Sequence, residues 1–76
     1  MTRLPTLKAR EVIRVLEKLG YQKTRQVGSH AHYEKPGKKP IPVPIHGDRD
    51  IGRGLLRKII RDLEISRQEF LQLLRD

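Results

Sequence analysis

The 76-residue chain has no cysteine and no tryptophan. The lack of cysteine excludes disulfides, thiolate zinc sites and cysteine nucleophiles, and it fits a reducing compartment. Aromatic side chains are scarce, with two Tyr and one Phe, so the core must be mainly aliphatic. No apolar run approaches the roughly 20 residues that span a bilayer. The opening MTRLPTLKAR carries no hydrophobic signal region. A cytoplasmic protein with no membrane partner is therefore expected. Acidic residues are also in short supply, nine against seventeen Lys and Arg.

A chain this short is expected to form one domain over residues 1–76, with a thin stability margin, because it buries only roughly 60% of its unfolded surface. The net charge of +8 and sequence pI of about 10.5 favour an anionic partner: nucleic acid, an anionic membrane surface or an acidic protein.

Periodicity divides the chain into elements. Ala9, Val12, Ile13, Leu16 and Leu19 recur at helical spacing and predict a helix over Lys8–Leu19. Thr6 is the expected N-cap, and Gly20 stands where a left-handed cap belongs. Tyr21–Val27 and His30–Lys35 read as a hairpin about a Gly28-Ser29 turn. Residues Pro36–Pro40 make a loop. In the next strand Ile41, Val43 and Ile45 alternate with Pro42 and Pro44, and the prolines consign it to a sheet edge. His46–Asp50 reads as a loop in which Asp50 caps a second helix, Gly52–Leu63. Ser66-Arg67-Gln68-Glu69 is a capping box opening a short third helix. The expected fold is α+β, two layers, with three antiparallel strands shielded on one face by helices.

The stretch GSHAHY concentrates the chemistry. His30 follows the turn and begins a strand, so a rigid hairpin should hold it near solvent. Imidazole exchanges protons near neutral pH, and in RNA the obvious proton is that of the ribose 2′-hydroxyl. Nearby cations would offset charge growing on the phosphate. The ordinary structural reading is a strand histidine making a routine hydrogen bond. His32 should share His30's sheet face and either orient substrate or simply occupy a half-exposed surface. His46 reads as a loop cap or as part of the same surface. Tyr33 reads as core on the opposite face, with base stacking the alternative. His30, His32 and His46 could suggest a metal, but with no thiolates and no clustered acids no metal site is expected. Lys35, Lys38 and Lys39 in one loop, and Arg53, Arg57, Lys58 and Arg61 on one helix stripe, are candidate phosphate contacts or plain solvated faces. Lys23 and Arg25 on the first strand join them as candidates.

Taken together, LEKLGY (16–21), GSHAHY (28–33), VPIHG (43–47) and GLLRKIIRDLEIS (54–66) resemble, in order and spacing, the motifs of the HicA-type (YcfA-like) toxins of toxin–antitoxin pairs. Lys8 falls near the family's usual Ser or Thr at the first helix, and the segment from Ser66 extends past the family core. The resemblance implies a double-stranded-RNA-binding-like fold, helix–three strands–helix. It implies metal-independent cleavage of messenger RNA without a cofactor. It makes His30 the catalytic residue, supported by Gly28, Ser29, His32 and His46, with a HicB-type antitoxin as inhibitor and no direct DNA binding by the toxin itself. A non-catalytic RNA-binding module of the same shape is the alternative.

Overall fold

The computed structural model describes residues 4–76. The elements follow in the order β1 (Leu7–Lys8), α1 (Ala9–Lys18), β2 (Gln22–Val27), β3 (His30–Glu34), β4 (Ile41–Pro44), β5 (Asp50–Ile51), α2 (Arg53–Leu63) and α3 (Arg67–Arg75). Strands β2, β3 and β4 form an antiparallel sheet in that order, so β3 is central and the proline-bearing β4 lies at an edge. The α+β arrangement of helix, three antiparallel strands and helices is thus the one the sequence implies.

The core is assembled from alternation. Ala31 and Tyr33 of β3, with Ile41 and Val43 of β4, point inward and are buried. They meet Val12, Val15 and Leu16 of α1, Leu56, Ile59, Ile60 and Leu63 of α2, and Phe70 of α3. Each fully buried aliphatic side chain contributes about 1.5–3 kcal/mol. In α1 the fully buried stripe runs through Val15, whereas Ile13 and Leu19 are only partly covered. Tyr33 belongs to the core, 5% exposed, which removes it as a base-stacking platform. Burial raises the Tyr33 hydroxyl pKa, with Glu17 adding to the rise. Burial likewise raises Tyr21, opposed by Lys38 and assisted by Glu64.

Two expected caps lie elsewhere. The N-cap of α1 is Lys8 rather than Thr6, and its backbone N–H donates to Glu11 Oε1 at 2.9 Å. The N-cap of α2 is Gly52 rather than Asp50. Both displacements have one cause. Leu7–Lys8 and Asp50–Ile51 pair as a two-stranded ribbon, so Asp50 is a strand residue and the predicted loop ends before it. Gly20 has φ +93°, as a helix-ending glycine should. Ser66 Oγ accepts from the Glu69 N–H at 3.0 Å, which fixes the start of α3.

The prolines act on the open edge of β4. The Ile45 N–H donates to the Ser29 carbonyl, across the β3–β4 seam. Backbone groups alternate sides along a strand, so the amides of Ile41 and Val43 also point toward β3. Positions 42 and 44 therefore face the open side, and being proline they offer no N–H there.

Candidate active site

The site is built on the β2–β3 hairpin. Val27 and His30 are cross-strand partners, so the connection is the two residues Gly28-Ser29. Gly28 has φ +59°, whereas Ser29 does not have positive φ, Glu64 being the only non-glycine residue that does among the described residues. A positive first and negative second position is the sign pattern of a type II′ turn, which favours glycine first. A Cβ at Gly28 would meet nothing within 4 Å, so glycine is required there by conformation rather than by space. The Gln26 side-chain amide donates to the Gly28 carbonyl at 3.1 Å and braces the turn.

His30 is the first residue of β3 and is exposed. Its side chain points to the face opposite the helices, since its neighbour Ala31 is fully buried. His32 shares that face and is half-buried, with Arg25 across one seam and Pro42 across the other. Val27, 58% exposed, lies on the same face beside His30. His46 arrives from the far end of β4. The Ile45–Ser29 bond draws that end against the turn, and the His30 and His46 rings stand 6.2 Å apart between centroids at 85°. His46 is thus beside His30 and does not cap α2.

The loop carrying His46 is fastened from below. Lys8 Nζ donates to the Asp48 carbonyl and pairs with Asp50 Oδ1 at 2.8 Å. The Arg49 N–H donates to the His46 carbonyl at 3.2 Å, closing a tight turn. Sequence reasoning missed this fastening, because two-residue strands give no periodicity to read. It also left Arg49 aside, an exposed cation in the same turn. Lys8→Met is expected to lower unfolding free energy by about 0.2–1 kcal/mol, the range for solvent-exposed ion pairs. Amide exchange across the Leu7–Ile51 pairing should also quicken, which hydrogen-exchange NMR or mass spectrometry can check.

The structure brings some basic candidates to the imidazoles and sends others away. Arg25 lies on the His30 face, one cross-strand step from His32. Lys23 opposes Tyr33 beyond a register shift in β2, and its Nζ donates to Gln26 Oε1 at 2.7 Å. Lys35, Lys38 and Lys39 sit at the other end of β3, about 15 Å from His30 at roughly 3.3 Å per strand residue. Lys35 Nζ donates to the Leu19 carbonyl at 2.7 Å and lies 5.8 Å from the Tyr21 ring centroid, so it closes the end of α1. Lys38 pairs with Glu64 at 3.4 Å and Lys39 with Asp62 at 3.7 Å. Arg53 Nε donates to the Leu4 carbonyl at 2.8 Å. Arg57, Lys58 and Arg61 are exposed along α2, in the helical layer rather than on the histidine face. Among the described residues, no group of three or more His, Asp or Glu is placed to hold a metal ion.

The chain is thus a small basic α+β protein whose exposed His30 and His46 rings stand together beside the β2–β3 turn. A family model described as the HicA toxin of bacterial toxin–antitoxin systems matches residues 9–65, and the chain belongs to that family. No curated protein matches the chain. Membership implies an antitoxin partner. No helix among the described residues is long and apolar enough to cross a membrane.

Proposed function

We propose that this chain is a metal-independent endoribonuclease that cleaves messenger RNA in the cytoplasm, as a single toxin domain over residues 1–76. The observation carrying the proposal is the exposed His30 imidazole, fixed at a braced hairpin turn with a second imidazole beside it. His30 takes the proton of a ribose 2′-hydroxyl, and that oxygen attacks the adjacent phosphorus. The nucleophile comes from the RNA itself, so the step as written asks nothing of a metal. Arg25 is the cation best situated to offset charge on the phosphoryl oxygens. Lys23, Lys35, Lys38, Lys39, Arg53, Arg57, Lys58 and Arg61 contribute to the field that gathers RNA on a +8 chain. Gly28 and Ser29 form the turn that presents His30, and His32 shares its sheet face. A HicB-type antitoxin inhibits by covering the histidine face, whose exposed Val27 gives a partner apolar surface next to the imidazoles.

Partner-free protein incubated with messenger RNA in excess EDTA tests the reading. Cleavage should persist, and the fragments should end in a 2′,3′-cyclic phosphate and begin with a 5′-hydroxyl. Loss of cutting in EDTA would sink the mechanism. RNA that is bound yet left intact with or without metal would favour the non-catalytic module instead.

A further inference from the structure

In-line displacement at phosphorus needs two proton transfers, one at each oxygen whose bond changes. One imidazole can serve the attacking oxygen. The departing 5′-oxygen is a poor leaving group unless it is protonated as its bond to phosphorus breaks. The structure supplies a second titratable ring at the appropriate distance. The His30 and His46 centroids are 6.2 Å apart, and both residues are exposed on the same rim. Hydrogen bonds of about 3 Å, one from each ring, can therefore end on two oxygens of a single phosphodiester lying across the pair.

The placement of His46 does not depend on the ring contact alone. The Ile45 N–H bond to the Ser29 carbonyl joins the residue before His46 to the residue before His30. In the antiparallel register His30 sits opposite Pro44, so His46 stands diagonally across that bond from His30, within ring contact. Beyond His46, the Arg49 N–H closes the turn and Lys8 holds Asp48 and Asp50. The loop is anchored on both sides, which is the support that a proton donor of fixed geometry requires.

Resting on the ribonuclease reading above, we infer that His46 is the general acid of the reaction, the partner of His30 as general base. His30 removes the 2′-hydroxyl proton while the 2′-oxygen forms its bond to phosphorus. The bond from phosphorus to the 5′-oxygen breaks, and protonated His46 gives its proton to that oxygen. The products are a 2′,3′-cyclic phosphate and a free 5′-hydroxyl. His30 then loses its proton to water and His46 regains one, so atoms and charge balance with no further reactant. His46 touches the leaving oxygen and is catalytic in the full sense, whereas His32, half-buried and across the seam from Arg25, transfers no proton.

The test is to make the leaving group independent of an acid. A cleavage site is first mapped on messenger RNA with the wild-type protein. An oligonucleotide spanning that site is then made in two forms, one ordinary and one with sulfur replacing the bridging 5′-oxygen. A thiol has a pKa of about 8.5, so a thiolate departs without a donated proton. His46→Ala and His46→Gln should cut the ordinary oligonucleotide about 10²–10⁴-fold more slowly than wild type. Both should cut the sulfur form at a rate within about tenfold of wild type, since no proton is then needed. His30→Ala should be impaired on both forms. Equal impairment of the His46 variants on both substrates, or none on either, would overturn the acid role while leaving His30 and the ribonuclease reading standing. Failure of the wild-type protein to cut RNA at all would overturn both.

Discussion

His30→Ala should lower RNA cleavage by at least about 10²–10⁴-fold, the usual contribution of a positioned acid or base. The same substitution should scarcely change the fold. His30 is exposed, its backbone pairing to β2 survives truncation of the side chain, and surface replacements of this kind shift stability by about 0.5 kcal/mol or less. The two measurements must be read together. Loss of cleavage with an unchanged thermal midpoint and unchanged RNA binding assigns the residue to chemistry. Cleavage that persists in a pure His30→Ala preparation would remove the residue from the mechanism. Induction of both forms in a bacterial host, followed through growth and messenger RNA integrity, gives the cellular counterpart. Wild type should arrest growth and His30→Ala should not.

Phe70→Ala should have the largest effect on stability, costing about 3–5 kcal/mol as buried aromatic truncations do. Phe70 is the single phenylalanine of the chain and is fully buried. It anchors α3, which packs on α1 and receives a bond from Lys18 Nζ to the Leu73 carbonyl at 2.6 Å. Domains of this kind have a total stability of about 5–15 kcal/mol, with small ones at the low end. The variant should therefore be substantially unfolded at moderate temperature. Urea denaturation followed by circular dichroism will show it, and a loss under about 1 kcal/mol would mean that α3 is not integral to the core. The position of Phe70 gives this result added meaning. The family match ends at residue 65, yet the next helix fills the interior from outside that boundary.

Much of this architecture is legible in residue order. Apolar spacing locates α1 and α2, Gly28-Ser29 locates the hairpin, and Pro42 with Pro44 assigns β4 to an edge. The capping box at Ser66 marks α3. What escapes is the β1–β5 ribbon. Its four residues carry no period, and its pairing joins positions more than forty residues apart. From that omission followed the misplaced caps at Thr6 and Asp50. The site shows the same division. The sequence puts His30 and His32 on one face, because strand alternation is local. The closeness of His46 to His30 is set by a backbone bond between Ile45 and Ser29, which no local pattern encodes. Charge was the least legible property. Lys35, Lys38, Lys39 and Arg53 look alike in a count, yet each is engaged with a carbonyl or a carboxylate of its own fold. Arg25, one candidate among several in the sequence, is the cation that strand register sets directly across from His32.

The two prolines of β4 also govern how the molecule meets other chains. A strand laid along that border would find acceptors without donors, so a continuous ribbon cannot grow from it. The opposite border, β2, is broken by a register shift and studded with Lys23 and Arg25, which discourage a like-charged copy. Neither rim of this sheet invites an added strand, and so the broad side bearing the imidazoles is left as its open surface.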